Sequence, residues 1–168
     1  VVLRGPAGEE LAKLHLDRDA PELVKSASGE MTRRAAKASD SREWAVYSRS
    51  VPVPTGRTRA RKAQTRRTPI AVAFSLVGPD IGHLHVGLPV RQIGLPFRLM
   101  AQFDPLTSRR DISDDPWNHS LVEPLSALWL DAVLDHFERN PVAAWAAVPL
   151  KDELDDDGQT TGQLRAEI

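Results

Sequence analysis

The chain has 168 residues, of which 41% are hydrophobic and 27% charged, with a formal net charge of −1. That is one domain's worth of polypeptide, able to bury roughly two-thirds of its unfolded surface, and the composition excludes collagen-like, coiled-coil and wholly disordered readings. The absence of cysteine excludes a disulfide framework, a thiolate zinc site and a cysteine nucleophile together.

No apolar run approaches the roughly 18 residues that span a bilayer, and the first twenty residues carry acids and bases without a signal-peptide core. These features predict a cytoplasmic protein with no membrane partner. The chain opens on Val1 rather than Met, which is expected of a piece of a longer protein. Charge is unevenly spread: residues 1–70 carry 15 Lys or Arg against 8 Asp or Glu, and residues 71–168 carry 7 against 15. Such a dipole suits either a nucleic-acid arm or a complementary contact between two faces of a larger protein.

Residues 8–38 hold helix-compatible stretches, Leu11, Leu14 and Leu16 before Pro21 and an Ala/Lys/Arg-rich piece at 31–38 after it. From 43 to 53 the order Trp44, Ala45, Val46, Tyr47 reads as a strand that Pro52 and Pro54 stop or place at an edge. Residues 57–68 are a basic loop. Three strands follow, each alternating one core-facing set with smaller or polar residues: Ile70, Val72, Phe74 and Leu76; Leu84, Val86 and Leu88; Leu95, Phe97, Leu99, Ala101 and Phe103. Gly78-Pro79-Asp80 predicts a turn that makes the first two a hairpin. Asp115 stands at an N-cap position, Pro116 at the first helical position and Asn140-Pro141 at a stop. Between them Trp117, Leu121, Leu125, Leu128, Trp129, Ala132, Val133 and Phe137 recur every three or four residues, a wide apolar stripe.

These elements predict an α+β fold: a mixed, largely antiparallel sheet built from residues 43–53, 70–77, 83–90 and 95–103, covered by helices, with one long amphipathic helix over 117–139 towards the C-terminus. Residues 1–150 read as a single domain. Residues 151–168, with Asp155, Asp156 and Asp157 in a row, read as an acidic polar tail or linker.

Few constellations carry chemistry. His83 and His85 sit two apart on one strand face, a spacing that presents two imidazoles, but no third ligand is placed by the sequence and no metal site is assigned. His119 and His136 lie at unrelated phases of the helix and read as surface histidines. No Gly-x-Ser-x-Gly elbow, phosphate-cradling glycine loop or EF-hand spacing occurs, and the aspartates of 111–115 are explained by capping the following helix. Arg57, Arg59, Arg61, Lys62, Arg66 and Arg67 form a basic run suited to phosphates, yet no aromatic residues interleave it for base stacking. A solvated loop is the plainer reading.

One stretch remains. From Leu95 to Ile112 a buried strand runs into a short polar loop that ends at the capped helix opening Trp117-Asn118, so Arg109 and Arg110 stand at the rim of a rigid element. An arginine there suits a phosphate, because its planar fork matches phosphate oxygens and its charge does not titrate. Pairing of Arg109 and Arg110 with Asp104, Asp111 or Asp114 across the loop is the equal alternative.

The ordered run Gly82-His83-Leu84-His85-Val86-Gly87-Leu88-Pro89-Val90, Gly94-Leu95-Pro96-Phe97, Ala101-Gln102-Phe103, Thr107-Ser108-Arg109-Arg110-Asp111-Ile112 and Trp117-Asn118 resembles the segment after the ATP-binding domain of sacsin-type proteins. These are relatives of the ninety-kilodalton heat-shock chaperones in the GHKL ATPase superfamily. The resemblance spans residues 70–137; Trp44 to Tyr47 and the basic loop fit the pattern more loosely. It implies a transducer-like middle domain that lends a basic side chain to the γ-phosphate of ATP held by a separate, upstream nucleotide-binding domain. Ser108-Arg109 is similar to the Ser-Arg of the middle-domain loop in those chaperones. The resemblance therefore implies Arg109 as the phosphate-sensing residue, Arg110 as second to it, and Thr107 and Ser108 as orienting the loop. The helix Asn and the Asp-x-Gly-x-Gly motif of the ATP-binding domain do not occur in these 168 residues. ATP and Mg are thus expected in a longer parent protein and not on this chain alone, which would be inactive by itself, with a client protein as a further partner. The other function class is a binding module whose basic run 57–67 holds nucleic acid or an acidic protein.

Overall fold

The computed structural model describes residues 2–4, 10–13, 15–16, 21–37, 42–53, 66–78, 80, 82–108 and 110–149. The tail 151–168 lies outside them. In chain order the elements are β1 (Val2–Arg4), β2 (Glu10–Lys13), β3 (His15–Leu16), β4 (Glu22–Ser26), β5 (Gly29–Lys37), β6 (Glu43–Pro52), β7 (Arg67–Ser75), β8 (His83–Val86), β9 (Leu88–Gln92), β10 (Arg98–Ala101), α1 (Pro116–His119), α2 (Val122–Arg139) and α3 (Pro141–Trp145). β1 and β2 pair with each other; the other eight strands form one sheet in the order β3-β5-β6-β7-β10-β8-β9, with β4 also on β5. The architecture is α+β, a mixed sheet with helices packed on it, and strand is its larger part.

The period-two pattern sets the faces. Ala45, Tyr47 and Val51 of β6, Ile70, Val72 and Phe74 of β7, Leu84 of β8 and Leu99 and Ala101 of β10 are buried with Leu125, Leu128, Trp129, Ala132 and Val133 of α2 in one core. On the opposite face Ala36, Trp44 and Ala73 make a second, smaller cluster, against which Val46 and Met100 pack. Phe97 stacks on Trp129 with ring centroids 5.8 Å apart, joining the approach to β10 to the helix.

Of the 31–38 piece, residues 31–37 are not helical: they belong to β5, which pairs antiparallel with β4 and with β6; residue 38 lies outside the described residues. Helix propensity is a weak preference, and here sheet pairing on both sides overrides it. The tight turn Ser26-Ala27-Ser28-Gly29 closes the β4–β5 hairpin, and Gly29 takes a φ of 125°, which only glycine adopts readily. Residues 83–90 are not one strand either; Gly87, at φ 76°, folds them into the antiparallel pair β8 and β9. Nor is β7 a neighbour of β8. β10 lies between them, antiparallel to β7 and parallel to β8.

The reason for that order is the crossover 93–97. The Gly82 N–H donates to the Leu95 carbonyl at 2.8 Å and the Ile93 N–H to the Gly82 carbonyl at 2.9 Å, so the chain leaving β9 folds closely over the start of β8 and re-enters on its far side. A Cβ on Gly82 would stand 2.1 Å from both the Leu95 and Phe97 carbonyl oxygens. Leu95, Phe97 and Phe103 keep their core positions, but as flanking loop; only 98–101 is strand.

The 117–139 helix is interrupted at Ser120-Leu121. Pro124 has no N–H for the Ser120 carbonyl and its ring crowds that position, so the chain turns tightly, Leu121 N–H donating to Asn118 O at 3.1 Å, before α2 begins. Both end signals act as expected. Asp115 accepts from the Asn118 N–H and Pro116 opens α1, while Asn140 closes α2 and caps α3, its side chain accepting from Ala143 N–H.

Candidate functional site

The loop after β10 is a small hairpin. Pro105 and Ile112 form an isolated antiparallel bridge, the Leu106 N–H donates to Asp111 O at 2.8 Å, and the Ser113 N–H to Asp104 O at 2.8 Å. Ile112 is buried and fastens one strand to the core. At the tip Thr107, Ser108 and Arg110 are exposed, and the Arg110 N–H reaches Ser108 Oγ at 3.4 Å. Arg109 lies outside the described residues.

The base of the hairpin is held by the first turn of α1. Asn118 is fully buried; its Oδ1 accepts from the Asp104 N–H at 2.8 Å, and its Nδ2 donates to Asp104 O at 2.9 Å and to Ser113 O at 2.6 Å. Beside it the buried Trp117 donates its indole N–H to Gln102 O at 2.7 Å. Ser113 Oγ donates to the capping Asp115 at 2.5 Å. The Trp-Asn pair, a sequence feature of the helix start, therefore supports the loop.

The acids of the loop have duties other than neutralising Arg110. Asp111 takes Arg91 of β9 at 2.6 Å and its own neighbour's Ile112 N–H at 2.8 Å. Asp114 meets His119 at 2.5 Å. Arg110 makes no ion pair with any described residue, so the pairing of Arg110 with Asp111 or Asp114 across the loop does not occur. The Arg91 contact also shows where the hairpin lies, against the β8–β9 side of the sheet.

The basic run falls mostly elsewhere. Arg57, Arg59, Arg61 and Lys62 lie outside the described residues. Arg66 and Arg67 are exposed where β7 begins: the Arg66 carbonyl accepts from Val53 N–H at 3.1 Å, and Arg67 donates to the Ser50 carbonyl and, at 3.4 Å, to Ser50 Oγ. Neither pairs with an acid among the described residues. This connection and the hairpin leave the sheet at the same end, since Ala101 of β10 lies opposite Ile70 of β7 and Thr68 Oγ1 donates to Gln102 Oε1 at 3.4 Å. The hairpin then turns to β9 while the basic connection stays with β6. An open cleft of about 890 Å³ flanks Arg67, reaching from the β4–β5 turn to the first turn of α2.

His83 and His85 share a sheet face with ring centroids 6.3 Å apart. Burial, the nearby Arg98 and His83 push His85 down to about 4. Among the described residues no group of three or more His, Asp or Glu is placed to hold a metal. His136 is not on the surface: it is 1% exposed, stacked 5.3 Å from Phe74 and edge-on to Tyr47, with neither ring nitrogen hydrogen-bonded. Burial and then the charge of Arg33 lower its pKa.

Two carboxylates one turn apart on the buried side of α2 tie it to the sheet. Asp131 receives Arg49 at 2.7 Å, Ser26 at 2.7 Å and Ser28. Burial pushes its pKa up, but these hydrogen bonds and the guanidinium together hold it below the ordinary value. Arg49 also donates to the Glu30 and Gly29 carbonyls at 3.1 Å each, gathering the β4–β5 turn. Asp135 accepts from Tyr47 Oη at 2.8 Å and from Arg139 at 2.8 Å. Burial raises its pKa, and the bonds from Arg139 and Tyr47 bring it down below the ordinary value. Burial and Asp135 move the Tyr47 phenol upward. The sequence carries a signal for this pair, two acids at i and i+4 inside the apolar stripe. Comparison with protein-family models, with curated proteins and with solved structures finds no match for this chain. No helix among the described residues is long and apolar enough to cross a membrane.

Proposed function

We propose that this chain is a non-catalytic, transducer-like domain of a sacsin-like GHKL ATPase or chaperone, whose 105–112 hairpin faces the γ-phosphate of ATP on a separate nucleotide-binding domain. Arg109 and Arg110 supply the positive charge, and Thr107 and Ser108 orient the tip. ATP and Mg belong to the other domain, and the transmitted nucleotide state acts on a client protein. One observation carries the reading: Arg110 is exposed at the tip of a buttressed hairpin with no acid among the described residues paired to it, while Asp111 and Asp114 are engaged by Arg91 and His119. A guanidinium held ready for an incoming anion does not have to break an ion pair first, and it stabilises charge on a transferring phosphoryl group in the way of other trans-acting arginines.

The test is ATP turnover by the protein that carries this chain beside its nucleotide-binding domain, wild type against Arg109→Ala and Arg110→Ala, with folding checked by circular dichroism. At least one variant loses turnover tenfold or more, about 1.4 kcal/mol on the barrier. Wild-type rates in both, or no ATP turnover in the wild type, reject the reading.

The second reading, a binding module holding nucleic acid or an acidic protein through the run Arg57 to Arg67, is favoured by the exposed Arg66 and Arg67, which pair with no acid among the described residues, and by the cleft beside Arg67. It takes the lead in that case. Its signature is binding that weakens steeply with salt and is lost on neutralising the run.

A further inference from the structure

We propose that Asn118 is the positioning residue of the phosphate-facing hairpin, its buried amide fixing the separation and register of residues 104 and 113 and hence the place of the Thr107 to Arg110 tip. The inference rests on the reading just given for what the tip does, and the structural half of it stands on the hairpin alone.

A two-residue bridge is a poor anchor by itself. Pro105 has no N–H to give, so the ladder at the base consists of Leu106 N–H to Asp111 O and Ser113 N–H to Asp104 O. Asn118 adds three bonds to that base, accepting the Asp104 N–H and donating to the carbonyls of both Asp104 and Ser113. The chemistry needs an amide. An aspartate of the same shape keeps the acceptor but has no donor for the two part-buried carbonyls, whereas glutamine is too long for the fully buried Asn118 site. Asn118 is itself locked, because its backbone N–H caps onto Asp115 at 2.9 Å and its neighbour Trp117 is bound to Gln102 O at 2.7 Å. Arg91 then grips Asp111 from β9 at 2.6 Å. Tip placement thus follows from the first turn of α1 and an edge strand, and Thr107, Ser108 and Arg110 are left exposed. A misplacement of about 1 Å costs on the order of 100-fold when a charge must meet a transition state.

Amide hydrogen exchange on the chain, wild type against Asn118→Asp, tests the placement. The Leu106 and Ser113 amides exchange at least 30-fold faster in the variant, while amides in the middle of β7 are unchanged. Equal exchange at Leu106 and Ser113 overturns the inference whatever the tip does. ATP turnover of the protein carrying this chain beside its nucleotide-binding domain tests the consequence. Asn118→Asp lowers kcat tenfold or more with KM for ATP within twofold, and Asp131→Asn, which loosens α2 far from the hairpin, leaves kcat unchanged. If Arg110→Ala lowers kcat but Asn118→Asp does not, positioning by Asn118 is wrong and the phosphate-facing reading survives. If neither variant moves kcat while exchange at the hairpin rises, the phosphate-facing reading is what fails.

Discussion

Side chains that look like substrate groups in a list of residues are here spent on holding elements together. Asp131 is the sharpest case, with 4% of its side chain exposed and Arg49 11%. Removing the carboxylate in Asp131→Ala takes from the Arg49 guanidinium and the Ser26 and Ser28 hydroxyls an acceptor they share. Breaking one side of a buried pair costs about 3–5 kcal/mol, and a urea titration of the folded chain should show the midpoint falling accordingly. Asp131→Asn keeps an oxygen for Ser26, Ser28 and Arg49 and should lose less. A drop in Asp131→Ala of under 1 kcal/mol, the scale of an exposed pair, would mean that water reaches the site and that the β4–β5 turn is held by its own hydrogen bonds.

Elements show where the sequence is readable and where it is not. The strand faces of 43–52, 70–75 and 98–101 and both caps of the C-terminal helices follow from local pattern, because alternation and end chemistry are properties of a few adjacent residues. The helix break contradicts the single helix expected over 117–139; its physical cause, Pro124 in the first turn of α2, goes unread beneath the continuous apolar stripe. Pairing partners were not legible. Neither alternation nor turn residues say that β10 slides between β7 and β8, since that depends on a crossover whose only mark in the sequence is Gly82. The candidate hairpin was legible as a polar loop before a cap, but its support by Asn118 was not, because a polar residue in the first turn of a helix usually faces water. Gly82→Ala tests the crossover: a Cβ there meets two backbone carbonyls at 2.1 Å, which cannot swing aside as a flexible side chain does. The parallel β8–β10 pair should open, with a loss of about 3 kcal/mol or more in denaturant unfolding, the upper end of overpacking costs. Tolerance within 0.5 kcal/mol would show that the 93–97 segment does not lie over β8 in solution.

At the level of the whole molecule the buried histidines and aspartates share one sign with pH. His85, pushed down to about 4, and His136, lowered by burial and Arg33, are bases that bind a proton more readily in the unfolded chain, whose ordinary value is 6.5. Their contribution to stability is complete above that value and is lost as pH falls from 6.5 towards their folded values. Asp131 and Asp135, both below the ordinary 3.8, contribute fully above 3.8 and fail only as pH falls further. Stability should therefore decline in two stages, the first between pH 6.5 and 4 from the histidines. For the part-exposed His85 this is about 1–2 kcal/mol once solvent screening is allowed for. The groups around His136 do not reverse the sign: Arg33 on β5 opposes its charge, Asp135 beside it favours it but is already bound by Tyr47 and Arg139, and Phe74 is apolar. Because neither nitrogen of His136 has a partner, His136→Leu removes a desolvated polar ring without orphaning anything. Urea unfolding at pH 7.5, 6, 5 and 4 should find the variant at least as stable as wild type at pH 7.5 and less sensitive to acid between 6.5 and 5. An unchanged slope would mean that His136 titrates alike in the folded and the unfolded chain and that the first stage belongs to His85 alone.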